Sequence, residues 1–157
     1  MSRNARDLTR RFPELAAAVA ALKPPTLLLD GEIAVFDSHL ISHFEWIRGR
    51  PKEEPATPPT LIAFDCLYTR GKDLRNRPLR VRRNVLEELV EGHDLVLPAR
   101  RLADDGLEAW AQVVERGYEG LVGKDEASHY REGRTLSWLK VKVPKYREGE
   151  RGWDPKR

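Results

Sequence analysis

The chain contains little cysteine and no long apolar segment, and these absences restrict what it can be. Cys66 is the one cysteine among 157 residues, so an internal disulfide is impossible, which fits a reducing compartment. The longest uninterrupted apolar run, Leu15 to Leu22, is too short to span a bilayer. The N-terminal residues MSRNARDLTRR lack the apolar core of a signal peptide. We therefore expect a cytoplasmic protein with no membrane partner.

The composition is typical of a globular domain, because hydrophobic residues make up 40% and charged residues 34% of the chain. We expect one domain over residues 1–145, followed by a basic C-terminal tail over residues 146–157. The four histidines show no metal-ligand spacing, so we interpret them as non-catalytic.

Positive charge is concentrated in two segments, although the net charge is only +3. Residues 138–157 contain seven Lys/Arg and three Asp/Glu, and residues 70–83 contain seven Lys/Arg and one Asp. Such clusters favour a polyanionic partner, either nucleic acid or the phosphates of a nucleotide. Solvated surface faces would give the same pattern, and charge alone does not separate the two interpretations.

Hydrophobic periodicity predicts interleaved helices and strands. The predicted helices are Phe12–Leu22, His39–Gly49, Val81–Val90 and Gly106–Arg116. The predicted strands are Thr26–Asp37, Leu61–Tyr68, Asp94–Leu97, Gly120–Gly123 and Trp138–Val143, with a polar turn over Arg70–Pro78. This order indicates a mixed α/β or α+β fold with a mainly antiparallel sheet.

Lys140 and Lys142 are two residues apart in the last predicted strand, so their side chains should point to the same face. Two adjacent ammonium groups repel each other, and a shared anion such as a phosphate would offset that repulsion. A lysine-decorated solvent face is the alternative, and it is the more common one.

Glu32, Glu119 and Phe64 are the other candidate site residues. Each glutamate follows or precedes a glycine, Gly31 or Gly120, where backbone or ligand could approach closely. Carboxylate oxygens suit a divalent cation that bridges phosphates, although exposed acids at strand ends are more common. The Phe64 ring could stack on a flat base, but most such phenylalanines belong to the core.

Four segments in this order resemble one family: DGE at residues 30–32, FDCLY at 64–68, EGLVGK at 119–124 and WLKVK at 138–142. They are similar to the ordered motifs of ATP-dependent DNA ligases, within the covalent nucleotidyltransferase superfamily. The linking segments SRN at 2–4, GKDL at 71–74 and SHY at 128–130 are similar as well. The resemblance covers roughly residues 2 to 145 and looks closest to bacterial ligase domains linked to end-joining repair.

The resemblance implies an α+β adenylation domain, with antiparallel sheets flanked by helices, over residues 1–145. It implies ATP and Mg²⁺ or Mn²⁺ as cofactors, and nicked or broken DNA as the partner in repair and recombination. By the same resemblance, Glu32 would bind the nucleotide ribose or organise metal, and Phe64 would stack on adenine. Glu119 would coordinate metal.

The resemblance also assigns the basic residues. Lys124 would lie near the nucleotide phosphates. Lys140 and Lys142, the catalytic pair, would bind the α-phosphate and stabilise charge during transfer. Arg3 would lie near the phosphate or the end of the nicked DNA strand.

One element of the family is absent from this sequence. The covalent step needs a lysine in the order Lys-x-Asp-Gly, whose amine attacks the α-phosphate of ATP. The two Asp-Gly pairs, at 30–31 and 105–106, have Leu28 and Ala103 in the lysine position. We expect an upstream segment or a separate chain to supply this lysine. The alternatives are a non-catalytic nucleotide- or DNA-binding remnant, and an RNA ligase or capping-type guanylyltransferase.

We predict that the 157-residue chain forms no covalent AMP adduct when incubated with labelled ATP and magnesium. The reason is the missing nucleophile motif. Denaturing gel electrophoresis of the labelled protein checks this, with a version extended by a Lys-x-Asp-Gly segment as the positive control. An acid-labile adduct on one of the chain's own lysines would contradict the prediction.

Overall fold

The structure is a computed structural model that describes residues 6–49, 54–133 and 135–144. Arg3 and the basic tail over residues 146–157 lie outside the described residues, so their predicted roles stay predictions. The elements in chain order are α1 Pro13–Ala20, β1 Leu27–Ala34, α2 Phe44–Ile47, β2 Thr60–Thr69, β3 Lys72–Asp73, α3 Leu79–Val90, β4 Val96–Pro98, α4 Gly106–Glu115, β5 Gly120–Lys124 and β6 Trp138–Lys142.

The described strands form two sheets. In the larger sheet, β2 pairs antiparallel with β1 and β3, and parallel with β4. The connection from β2 to β4 runs through α3, which is the crossover that a parallel neighbour requires. The smaller sheet consists of β5 and β6, paired antiparallel. The predicted α+β class is confirmed, and β4 is the parallel exception to the antiparallel pattern within the described part of the chain.

Two local predictions were wrong. The predicted helix His39–Gly49 is helical only over α2, because the Asp37 carboxylate accepts hydrogen bonds from the backbone amides of His39 and Ile41 and holds a turn there. The predicted polar turn over residues 70–78 contains strand β3. Arg70 and Gly71 both have positive φ, at 50° and 76°, and this tight turn returns the chain to β2.

The core lies between the larger sheet and helices α1 and α3. Its buried members are Phe12, Leu15, Leu22, Ala63, Cys66, Leu86, Leu89, Val90 and Val96. Burial raises the pKa of the Cys66 thiol to about 11, which fits its predicted role as a small buried hydrophobe. None of the helices in the described ranges is long and apolar enough to traverse a membrane.

A buried ion pair joins α3 to β2. Arg82 donates from Nε to Asp65 Oδ1 at 2.8 Å and from Nη2 to Asp65 Oδ2 at 2.9 Å, and both side chains are 0% exposed. Arg82 Nη1 also donates to the carbonyl oxygens of Arg77 and Ser128, the second at 3.1 Å. One guanidinium therefore holds α3, β2 and the segment after β5 together.

This pair changes the interpretation of the basic run over residues 70–83. Arg82 and Arg83 are buried, so neither forms part of a surface that faces DNA. Arg83 Nη2 donates to the Ala99 carbonyl at 2.8 Å and to Glu87 Oε1 at 2.9 Å. The other members of the run remain exposed, and two of them are paired: Arg70 with Glu88, and Arg75 with Asp73.

We predict that Arg82→Met lowers the free energy of unfolding by roughly 3–5 kcal/mol, because it leaves the Asp65 carboxylate buried without its partner. Urea denaturation at neutral pH measures this loss. Arg75→Met is the matched control, since it removes an arginine whose pair with Asp73 is exposed to solvent. Similar losses in the two variants would show that burial does not increase the contribution of the Arg82–Asp65 pair to the free energy of unfolding.

Candidate functional site

Phe64 lies at an irregularity in the pairing of β1 with β2. Asp30 pairs with Asp65 and Gly31 pairs with Ala63, so the register passes over Phe64. Such a β-bulge re-aims side chains and is common next to functional sites. Asp65 is buried against α3 and Ala63 is buried in the core, whereas Phe64 is partly exposed and lines a cavity.

The cavity beside Phe64 has a volume of about 240 Å³. It is lined by Glu32, Ile33, Ala34, Phe36, Ser42, His43, Ile47, Ile62 and Phe64. The structure therefore brings together the predicted base-stacking ring and the predicted ribose-binding carboxylate. A Cβ on Gly31 would lie 2.7 Å from the Ile62 carbonyl oxygen, so glycine is required for the close approach of β1 to β2.

One wall of this cavity is held by His43. Its Nε2 lies 2.8 Å from Asp37 Oδ2, and its ring stacks on Trp46 with centroids 4.2 Å apart. Burial alone would raise the pKa of Asp37, but hydrogen bonds from His43 and from two backbone amides lower it overall. The wall is thus fixed by a ring stack and a charge-assisted hydrogen bond.

Lys124, at the end of β5, lies against aromatic rings. Its Nζ is 4.6 Å from the centroid of the Phe64 ring and 3.8 Å from the Trp138 ring. Burial lowers the pKa of Lys124 to about 8, and the nearby Asp65 carboxylate opposes part of that shift. The role near the phosphates that the resemblance implies for Lys124 stays a prediction, and in the structure its ammonium lies over the predicted base-stacking ring.

Lys140 and Lys142 converge on a single carboxylate oxygen, Glu119 Oε1. The distances from the two Nζ atoms are 3.6 Å and 2.7 Å. The prediction that both lysines share one face of the strand is confirmed, and the anion they share is Glu119. Burial would raise the pKa of Glu119, but the hydrogen bond from Lys142 and the charge of Lys140 lower it overall.

The face of the β5–β6 sheet connects these two groups. Lys124 pairs with Trp138, Val122 with Lys140, and Gly120 with Lys142. Paired residues of antiparallel strands lie on the same face, as do alternate residues of one strand. The face therefore runs from the Phe64 ring at one end to Glu119 at the other, roughly 13 Å along β5. This is the length scale of a mononucleotide.

The carboxylates that the structure describes do not form a preformed metal cage. No group of three or more His, Cys, Asp or Glu side chains that could hold a metal ion occurs within the described ranges. Magnesium is usually bound by one or two carboxylates together with substrate phosphates. Glu119 fits that arrangement, because it lies beside the two lysines that would also contact phosphate.

A second, larger cavity of about 450 Å³ lies at the end of α3. Its lining includes Glu87, Glu88, Glu91 and His93. Three glutamates would repel a phosphate, so this cavity does not suit an anionic ligand. The smaller cavity, with its aromatic ring and nearby lysines, is the better candidate for a nucleotide.

Sequence reasoning missed three residues that build the site. Arg82 and Asp65 set the position of β2, and Trp138 encloses Lys124. Trp138 could have been found, because it is two residues from Lys140 in a strand and so lies on the same face. Nothing in the sequence showed that Arg82 is buried, since it belongs to a basic run most of whose members are exposed.

Comparisons with known proteins bear on the family and the fold of the chain. The family described as "ATP dependent DNA ligase domain" matches residues 1–142. The end-joining protein LigD of Pseudomonas aeruginosa is 36% identical over 145 residues, which is 90% of this chain and 17% of that protein. A "Probable DNA ligase" of Streptomyces griseus is 37% identical over 161 residues, covering 87% of this chain and 30% of its own length.

Two solved structures are also similar. The ligase domain of Mycobacterium tuberculosis LigD has a TM-score of 0.77 at 34% identity, over 90% of this chain and 45% of that one. A mycobacterial DNA ligase D described as complexed with ATP and MES has the same TM-score, and the present chain covers 46% of it. The present chain thus spans less than half of each of these solved chains, and less than a fifth of the LigD protein of Pseudomonas aeruginosa.

We predict that Gly120→Ala lowers the free energy of unfolding by roughly 1–3 kcal/mol and separates Lys142 from Glu119. A Cβ at residue 120 would overlap the Val141 carbonyl and lie 2.9 Å from the Lys142 Cα. Urea denaturation measures the loss. Gly123→Ala is the matched control in the same strand, because its Cβ would be 3.8 Å from the Leu139 carbonyl oxygen, an ordinary contact. Equal effects of the two substitutions would contradict the close approach at Gly120.

Proposed function

Because the chain belongs to the ATP-dependent DNA ligase family, we propose that it forms the nucleotide-binding part of an adenylation domain that seals DNA nicks through AMP transfer. The end-joining relatives favour a role in DNA repair. The observation that carries the proposal is the pair Lys140 and Lys142, which meet at one anion on the sheet face that also reaches Phe64.

Each part of an adenine nucleotide has a complementary group on this face. The Phe64 ring offers a flat surface to the base, and Glu32 offers a carboxylate to the ribose hydroxyls from the same cavity. Lys140 and Lys142 offer two ammonium groups to the α-phosphate. These are the roles that the family resemblance implies, and the geometry supports them.

The ion pairs of Glu119 suggest how Lys140 and Lys142 exchange this carboxylate for the phosphate of a nucleotide. Without a phosphate, Glu119 pairs with both lysines, and its single negative charge offsets part of their mutual repulsion. When a phosphate binds to Lys140 and Lys142, it replaces Glu119, and the freed carboxylate can hold Mg²⁺ or Mn²⁺ beside the phosphate. The metal would supply Lewis-acid stabilisation of the phosphate charge during transfer.

The covalent step and the DNA contact need groups outside this site. The lysine that carries AMP would come from another segment or chain, since no Lys-x-Asp-Gly motif occurs in the sequence. DNA contact would rest on the exposed basic residues Lys72, Arg77 and Arg80, on the tail, and on Arg3. A nucleotide-binding remnant without catalysis is the second candidate, and the missing motif is the observation that favours it.

We predict that the double variant Lys140→Ala/Lys142→Ala binds ATP about 10- to 100-fold more weakly than the wild-type chain, because two charge-assisted contacts to phosphate are lost. Its affinity for adenosine, which has no phosphate, should be unchanged. Isothermal titration calorimetry with ATP, adenosine and GTP measures these affinities, and ATP should bind more tightly than GTP.

Lys23→Ala is the control, since it removes an exposed lysine between α1 and β1. An equal loss in this variant would point to a general effect of net charge. Undiminished ATP binding by the double variant would contradict the assignment of the phosphate site. Preference for GTP would favour a capping-type guanylyltransferase instead.

A further inference from the structure

Lys124 covers part of the surface on which the base is expected to stack. Its Nζ lies 4.6 Å from the Phe64 centroid and 3.8 Å from the Trp138 centroid, so one ammonium contacts two rings. Resting on the nucleotide site proposed above, we propose that Lys124 gates the base subsite: its ammonium covers Phe64 in the nucleotide-free protein, and an adenine base binds by displacing it.

The contacts that hold Lys124 in place are weak enough to be exchanged. Within the described part of the chain, its Nζ forms no ion pair within 4.0 Å. The Asp65 carboxylate attracts it, but both Asp65 oxygens are already bonded to Arg82. The remaining attraction comes from the two aromatic rings and from the negative charge of Asp30.

Desolvation favours the release of the ammonium. Burial lowers the pKa of Lys124 to about 8, which means that its charged form is less stable here than in water. The positive charges of Arg82 and Arg83 act in the same direction. When a base replaces the Lys124 ammonium on the Phe64 ring, a neutral group occupies the buried position. The charged ammonium then moves into solvent.

The displaced side chain has a suitable destination. Lys124 lies on the same face of the β5–β6 sheet as Lys140 and Lys142, whose partners on β5 are Val122 and Gly120. An ammonium that leaves Phe64 can therefore turn towards the region where phosphate is expected. The same lysine would cover the base site when the nucleotide is absent and add positive charge near the phosphates when it is bound.

Adenosine binding tests the gate, because adenosine occupies the base site without contacting the phosphate region. We expect Lys124→Ala to bind adenosine roughly 5- to 30-fold more tightly than the wild-type chain, since the base no longer displaces a cation from the rings. Lys124→Arg, which keeps a cation over the rings, should not share this gain. Lys23→Ala should match the wild-type chain. Unchanged or weaker binding of adenosine by Lys124→Ala would overturn the gate.

A spectroscopic measurement follows the displacement itself in the wild-type chain. With ¹³C-labelled lysine, the ε-methylene protons of Lys124 should be shifted upfield by the ring currents of Phe64 and Trp138. Saturating adenosine should remove this shift, and the signal is assigned by its disappearance in Lys124→Ala. A signal that stays upfield at saturation would overturn the gate, because the base would then bind elsewhere.

The outcomes separate the gate from the function on which it rests. If the wild-type chain binds ATP through Lys140 and Lys142 but Lys124→Ala has no greater affinity for adenosine, the gate is wrong and the nucleotide site stands. If neither the wild-type chain nor Lys124→Ala binds adenosine or ATP, both are wrong. If Lys124→Ala binds adenosine and the wild-type chain does so only weakly, the gate is supported.

Discussion

The buried pair of Arg82 and Asp65 is the constraint on which the site depends. Asp65 follows Phe64 directly, so the ion pair that holds Asp65 against α3 also fixes the position of the aromatic ring. Ala63 and Cys66 are three residues apart, so a regular strand would place them on opposite faces. Both are nevertheless buried in the core, and the bulge at Phe64 allows this. Arg82 extends the constraint to Ser128, on the segment between β5 and β6. The ring and the lysine-bearing sheet are thereby tied to the same helix.

The sequence predicted most elements because their periodicity is local. α4 begins where the Asp105 side chain accepts hydrogen bonds from the amides of Leu107 and Glu108, and such a cap can be recognised in the sequence. The bulge at Phe64 could not be predicted, because a period of two places Cys66 on the face of Phe64, whereas Cys66 is buried in the core with Ala63. The burial of Arg82 was equally hidden, since it depends on Asp65, which is 17 residues away.

Charge neutralisation within the protein explains the ligand-free geometry of the candidate site. Glu119 pairs with Lys140 and Lys142, and the rings of Phe64 and Trp138 contact the Lys124 ammonium. Three cations on one sheet face would otherwise repel each other. A nucleotide would replace both partners, with its phosphate in the place of Glu119 and its base in the place of the Lys124 ammonium. Binding then exchanges one set of favourable contacts for another.

A map of backbone amide shifts during titration with ATP tests most directly whether this chain holds one nucleotide site. We expect the perturbed amides to follow the face from Phe64 through Lys124 and Lys140 to Glu119, with little change around the acidic cavity at Gly92. Perturbations centred on that acidic cavity, or confined to one end of the lysine face, would contradict a single site that spans the Phe64 ring and the lysine pair.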